Sequence, residues 1–185
     1  MRKLSMFNSV SLDGYFTDSK NDMSWAHQND PEWNEFVAGN ATGKGTLLFG
    51  RVTYEMMAGF WTSPQAAQMM PDVTKGMNAS QKVVFSRTLD KVGWENTVLL
   101  KGDLISEVKK LKADSGPDMV ILGSGNIVAQ LARENLIDQY QVVISPVAIG
   151  GGRTLFEGLK KQLRLKLTAS RAFKNGSVFL TYVPG

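Results

Sequence analysis

The chain contains no cysteine, which rules out disulfides and thiolate metal sites. Its one histidine, His27, rules out a multi-histidine metal centre, so no metal is expected. No apolar run approaches the ~20 residues that a membrane helix needs. The opening residues, Met-Arg-Lys-Leu-Ser-Met-Phe, pass straight into an alternating pattern. They lack the apolar stretch and small-residue cleavage site of a signal peptide. Internal repeats, low-complexity tracts and long linkers are also missing. These absences predict a cytoplasmic protein with no membrane partner. Residues 1–185 form one domain, long enough to bury a core without staples.

Composition is that of a globular protein, with 43% hydrophobic and 21% charged residues. The net charge is +4 and the sequence pI about 9.3. The densest basic groups are Lys109, Lys110 and Lys112, then Lys160, Lys161, Arg164 and Lys166. Both alternate with apolar residues as solvated faces do, so no nucleic-acid partner is expected. A mild positive field also suits a phosphorylated ligand.

Apolar periodicity alternates between strand and helix. Residues 3–10 predict a strand closed by the turn Asp13-Gly14. Asp30-Pro31 is a helix start, a capping side chain followed by proline at the first position. Trp33, Phe36 and Val37 follow at helical spacing, and Gly43 to Gly45 breaks that helix. Thr46-Leu47-Leu48-Phe49, Lys82-Val83-Val84-Phe85, Thr97-Val98-Leu99-Leu100, Met119-Val120-Ile121-Leu122 and Tyr140 to Ser145 are strands. The helix after Gly50 is expected to turn Val52, Met56 and Phe60 inward. Leu104, Ile105, Val108 and Leu111 make one helical face, and Ile127, Val128, Leu131 and Ala132 another. Residues 64–79 are methionine-rich and predict a loop with a short helix. Residues 163–183 predict two strands around the turn Lys174-Asn175-Gly176. The pattern implies an α/β fold: a mixed, mostly parallel sheet, helices on both faces, and a C-terminal antiparallel hairpin.

Ligands on such sheets sit beyond the carboxyl ends of the strands. Three strand ends carry similar chemistry: Gly50-Arg51-Val52-Thr53-Tyr54, Ser86-Arg87-Thr88 and Gly123-Ser124-Gly125-Asn126-Ile127. Glycines at a strand-to-helix turn let a phosphate reach the helix N-terminus. A tight connection that simply needs glycine gives the same residues, and the spacing is not a full dinucleotide fingerprint. Arg51 and Arg87 read singly as surface arginines. Together with Ser86 they could grip a 2′-phosphate, which suggests NADPH rather than NADH. Asp13 reads as a catalytic or substrate-binding acid or as a turn residue. His27 reads as a substrate contact or a surface residue. Trp25, Trp33 and Trp61 line an aromatic pocket or pack the core. The segment 62–79, with Met69, Met70 and Met77, reads as a lid over the pocket or a dimer contact.

At these residues the chain resembles the dihydrofolate-reductase-like superfamily. Phe49-Gly50-Arg51-Val52-Thr53-Tyr54-Glu55 is similar to the Gly-Arg-x-Thr-aromatic-Glu segment of dihydrofolate reductases. Ser86-Arg87 resembles their turn at the adenosine 2′-phosphate, and Gly123 to Ile127 their segment at the pyrophosphate. Ser11-Leu12-Asp13-Gly14, Leu136 to Tyr140, Ser145-Pro146-Val147 and Gly150 to Phe156 are similar to the reductase domain of riboflavin biosynthesis. The resemblance implies an NADPH cofactor, a homodimer, and a small heterocyclic substrate of the 5-amino-6-(5-phosphoribosylamino)uracil kind. It implies cofactor contacts at Gly50, Arg51, Thr53, Ser86, Arg87, Gly123, Ser124, Gly125, Asn126 and Ile127, with Ser9 near the nicotinamide. Gly150-Gly151-Gly152 then either approaches the nicotinamide or merely permits a bend, and Arg153 is a candidate for a substrate phosphate.

Two departures shape the expectation. Dihydrofolate reductases carry a pteridine-binding acid in the first helix, where this chain has Trp33 or Asn34. Glu32 and Glu35 are expected to face elsewhere, which counts against folate reduction. The chain also lacks the cysteine and histidine ligands of the zinc deaminase domain that accompanies bifunctional riboflavin enzymes. A stand-alone reductase domain is expected, with a pterin reductase or a non-catalytic NADPH-binding dimer as alternatives.

Overall fold

In the computed structural model, which describes residues 1–26, 30–41 and 45–185 without the side chain of Ala41, one sheet of eight strands organises the chain. The strands are β1 (Leu4–Ser11), β2 (Thr46–Gly50), β3 (Lys82–Phe85), β4 (Thr97–Leu100), β5 (Met119–Leu122), β6 (Gln139–Ser145), β7 (Leu165–Ala172) and β8 (Val178–Pro184). Their order is β4-β3-β2-β5-β1-β6-β8-β7. The first six run parallel, and β8 pairs antiparallel with both β6 and β7 at one edge. The helices are α1 (Pro31–Ala41), α2 (Arg51–Trp61), α3 (Pro64–Met69), α4 (Pro71–Ala79), α5 (Leu104–Ala113) and α6 (Gly125–Arg133). His27 and Gly43 lie outside the described residues.

Both faces of the sheet are covered at β2 and β3, which explains their uninterrupted apolar runs. On one face α5 and α6 pack Val108, Ile127, Val128 and Leu131 against Leu4, Met6, Leu48, Met119 and Ile121. Val128 and Leu131 are fully buried, each worth roughly 1.5–3 kcal/mol of apolar burial. On the other face Tyr54, Val73 and Met77, from α2 and α4, pack on Leu47, Phe49, Val84 and Trp94. Asp30 caps α1 as its sequence predicts, accepting the Trp33 N–H at 2.9 Å.

Three expectations need correction. Val52, Met56 and Phe60 are 62%, 46% and 37% exposed, and α2 buries Tyr54 instead. The helix is apolar nearly all round, so periodicity does not select a face. Tyr54 does, because its hydroxyl accepts the Gly93 and Trp94 N–H groups, both at 3.1 Å. Residues 64–79 hold two helices, each with proline in its first turn, and Ser63 caps the first. Met77 is core while Met69 is 63% exposed. Lys112 is no solvated lysine: it is buried and binds Asp138 and the Leu136 carbonyl.

Candidate functional site

Strand polarity places the connections α2 and α6 on opposite faces of the sheet, although they leave the adjacent strands β2 and β5. The carboxyl ends of those two strands are the position where open α/β sheets bind ligands. The residues there are the ones the sequence singled out. Ser124 Oγ accepts the Gly50 N–H at 2.7 Å. Thr53 Oγ1 accepts the Ser124 N–H at 3.1 Å and lies 2.9 Å from Ser124 Oγ, which donates to it. The network ties the start of α2 to the start of α6.

Backbone conformation explains the glycines. Gly123 and Ser124 both have positive φ, +62° and +55°. For Ser124 this left-handed geometry costs roughly 1–2 kcal/mol, which the bonds to Gly50 and Thr53 offset. A Cβ on Gly123 would stand 3.0 Å from Thr53 Cγ2. A Cβ on Gly125 would stand 2.5 Å from the Phe16 ring. The turn into α6 is thus pressed between Thr53 and Phe16. No side chain caps α6, so the N–H groups of Gly125, Asn126 and Ile127 keep their donors for a ligand, at the positive end of the helix. The Asn126 side chain is exposed and bonded to Gln130, and the Ile127 side chain is core. What these two positions offer a ligand is backbone N–H.

The adjacent strand ends carry the cations. Gly50 pairs with Phe85 across β2 and β3, so Arg51 and Ser86-Arg87 begin side by side. Arg51 binds Glu55 at 2.9 Å, with both side chains nearly half exposed. Such a pair is worth about 0.3–0.5 kcal/mol and yields easily to a phosphate. Ser86 Oγ accepts the Thr88 and Leu89 N–H groups at 3.2 and 3.1 Å, fixing the turn. Arg87 is exposed, and its charge helps hold the Asp103 carboxyl below its usual range, after the larger effect of hydrogen bonds from Ser106.

Asp13 has a task that the sequence did not reveal. Its carboxylate accepts Ser11 Oγ–H at 2.6 Å, Gly150 N–H at 2.7 Å and Ile149 N–H at 3.1 Å. These bonds hold its pKa below the ordinary value, Ser11 contributing most. A carboxylate so held is ionised at neutral pH and is a poor proton donor. It clamps the turn after β1 onto the loop after β6. Further along, Arg153 N–H donates to the Thr17 carbonyl at 3.0 Å. A Cβ on Gly152 would lie 2.0 Å from that carbonyl, so this glycine serves the close approach, while Gly150 and Gly151 face open space. The Arg153 guanidinium lies over the Phe16 ring, 5.7 Å from its centroid. Phe16 was missed because its contacts with Gly125 and Arg153 are distant in sequence and leave no local pattern.

Ser9 lies in the carboxyl half of β1, on the same face as Phe7. The residue is half-buried, and its hydroxyl makes no hydrogen bond among the described residues. Phe7 meets Phe179, which meets Phe36 of α1 at 4.9 Å between ring centroids. Trp33 packs edge-on against Phe173 at 5.2 Å. Glu32 binds Arg171 at 2.9 Å, which lowers its pKa, and Glu35 is exposed. Neither is the inward acid of a folate reductase, as the sequence predicted.

A family model described as the RibD C-terminal domain matches residues 2–179. YyaP of Bacillus subtilis (strain 168) is 24% identical over 182 residues, covering 98% of this chain and 94% of YyaP. Among solved structures, a protein of Shewanella sp. PV-4 assigned to riboflavin biosynthesis superposes with TM-score 0.76 at 24% identity, covering 99% of both chains. The deaminase/5-amino-6-(5-phosphoribosylamino)uracil reductase of Thermotoga maritima gives 0.72 at 12% identity, covering all of this chain and 57% of that one. The dihydrofolate reductase of Enterococcus faecalis, solved with NADP(H), gives 0.67 at 15% identity, covering 99% of this chain and 96% of that one. The fold is therefore dihydrofolate-reductase-like.

Proposed function

The chain belongs to the RibD C-terminal domain family, and from that premise we propose that it is an NADPH-dependent reductase of a small heterocyclic substrate. The observation that carries this reading is the ligand-ready turn into α6. Gly123 and Gly125 leave no room for side chains, the first N–H groups of the helix are uncapped, and Arg51 and Arg87 flank it on the next strands. This donor set fits a dinucleotide with an extra phosphate. The backbone of Gly125 to Ile127 takes the pyrophosphate, and Arg51, Ser86 and Arg87 take the 2′-phosphate. When bound, the cofactor supplies a hydride to a C=N or C=O carbon.

The residues of the chain position and enclose. Thr53 and Ser124 fix the phosphate turn. Ser9 lies on the strand beside the nicotinamide position. Asp13 holds the loop 149–150 against the turn after β1, which shapes the far wall. The substrate favoured by resemblance is of the 5-amino-6-(5-phosphoribosylamino)uracil class. In this reading two chains assemble as a homodimer. Oxidation of NADPH, followed by absorbance with aminopyrimidine and pterin substrates, tests the proposal. Turnover with a ribosylaminouracil supports it. Tight NADPH binding with no turnover of any of them rejects catalysis in favour of a non-catalytic NADPH-binding protein.

A further inference from the structure

The connection from β6 to β7 runs from one end of the sheet to the other. It leaves the carboxyl end of β6, where Asp13 clamps it, and reaches Leu165, the first residue of β7. Because β6 and β7 each pair antiparallel with β8, they run parallel to one another, and Leu165 lies at the amino end. The second half of this connection forms a cavity of about 370 Å³ that opens to solvent. Leu165 is part of its wall, and so is Phe156. The Phe156 ring meets the ring of Tyr140, near the start of β6, at 6.2 Å between centroids. The cavity therefore lies at the opposite end of the sheet from the turn into α6.

The loop that shapes it is pinned at both ends. Arg133, the last residue of α6, donates to the Glu157 carbonyl at 2.8 Å. Gly158 has φ +75°, and a Cβ there would stand 2.5 Å from the Arg133 guanidinium, so this glycine lets the cation lie against the chain. The Leu159 N–H donates to the Phe156 carbonyl at 3.2 Å, and the Gly185 N–H to the Arg164 carbonyl at 3.0 Å. A loop so tied pays little ordering entropy when a ligand arrives.

The lining is divided by chemistry. Phe156, Leu159, Leu163 and Leu165 are half-buried walls, and Phe156, Leu163 and Leu165 pack onto the core. Lys160 and Lys161 also line the cavity but are exposed. Neither they nor Arg164 takes part in an ion pair among the described residues. Glu157 is the one acid in the segment 156–165, so three cations against one acid leave it a net charge of +2. A membrane-binding segment turns its apolar side chains outward into the lipid. Here Leu159, Leu163 and Leu165 turn inward around a concave space and the lysines stand outside. The volume lies within the roughly 300–1,000 Å³ of small-molecule sites.

We infer that this cavity is a binding site for an amphipathic carboxylate, a short hydrocarbon chain with one anionic end. The chain lies against Phe156 and the leucines, where it leaves water. The carboxylate accepts charge-assisted hydrogen bonds from Lys160 and Lys161. The site is separate from the cofactor position and does not depend on the reductase reading.

The test titrates octanoate into the whole protein and follows the methyl groups of isotope-labelled leucine by NMR. Leu159, Leu163 and Leu165 are expected to shift together and to saturate. Butanoate, four methylenes shorter, is expected to bind at least about tenfold more weakly. Octylammonium, with the same tail and the opposite charge, is expected to leave these methyls in place. The exposed pair Lys160→Ala and Lys161→Ala, changed together, is expected to weaken octanoate about three- to tenfold at low salt and to keep the wild-type Tm. NADPH is expected to leave the octanoate affinity unchanged. Absence of shifts at these leucines, equal binding of octylammonium, or wild-type octanoate affinity in the double variant overturns the inference. Displacement of octanoate by NADPH also overturns it, since the anion would then occupy the phosphate turn. Binding to phosphatidylglycerol vesicles without any response to free octanoate overturns it in favour of a membrane surface.

Discussion

Thr53→Val keeps the shape of the side chain and deletes one hydroxyl, so it isolates the bond network at the phosphate turn. In the wild type Thr53 Oγ1 accepts from Ser124 N–H and Ser124 Oγ–H at 3.1 and 2.9 Å. The variant leaves both donors without a protein acceptor. These atoms are only partly buried, so water replaces some of the loss, and about 1–2 kcal/mol of stability disappears. For a chain of this size that lowers Tm by about 2–8 °C. The same bonds hold Ser124 at φ +55°. Once released, the turn must be reordered by the ligand, which weakens NADPH by up to about tenfold. Thermal denaturation and calorimetric titration measure the two effects. Thr53→Ser, which restores the hydroxyl, is expected to recover both. A double-mutant cycle with Ser124→Ala is expected to give a coupling of about 1 kcal/mol. Wild-type Tm together with wild-type NADPH affinity in Thr53→Val would refute the idea that this network builds the site.

Gly125→Ala puts a methyl group 2.5 Å from the Phe16 ring and is expected to cost about 1–3 kcal/mol; addition of Phe16→Leu should return part of that loss in urea denaturation. Asp13→Ala, which removes both acceptor oxygens, is expected to abolish hydrogen-exchange protection at Ile149 and Gly150. The Asp13 pKa is lowered from 3.8 by its hydrogen bonds, so the clamp stabilises the fold above that pH and fails as pH falls through the lower folded-state value. Unchanged protection in the variant would contradict the clamp. Burial lowers the Lys82 pKa from 10.5 to about 8, with Glu95 acting in the opposite sense. Its ammonium donates to the Met77, Asn78 and Ser80 carbonyls. The unfolded chain therefore binds more protons between about pH 8 and 10.5, and the stability of the wild type relative to Lys82→Met should rise across that window, by at most about 3 kcal/mol. A flat difference would mean that the carbonyls fully compensate the buried charge.

The strand ends could be read from the sequence because their chemistry is local. A buried apolar run followed by Gly-Arg or Gly-Ser-Gly is visible within a few residues, and α6 buries Ile127, Val128, Leu131 and Ala132 as expected. What could not be read depends on partners far along the chain. The face of α2 is chosen by Tyr54 reaching Gly93 and Trp94. Asp13 becomes a clamp because the loop after β6 presents two N–H groups to it. Phe16 matters through Gly125, and Lys112 through Asp138. The helix start at Ser63-Pro64 was readable by the rule that served at Asp30-Pro31, but the methionines beyond it obscured the pattern.

The central claim is a phosphate-reading dinucleotide site across β2, β3 and β5. Calorimetric titration of NADPH and NADH into the wild type, Arg51→Ala and Arg87→Ala tests it most directly. The account predicts micromolar NADPH binding, about tenfold or more weaker NADH binding, and loss of that preference in each arginine variant, as expected when a charge-assisted pair is removed. Binding of neither nucleotide to the wild type would contradict it.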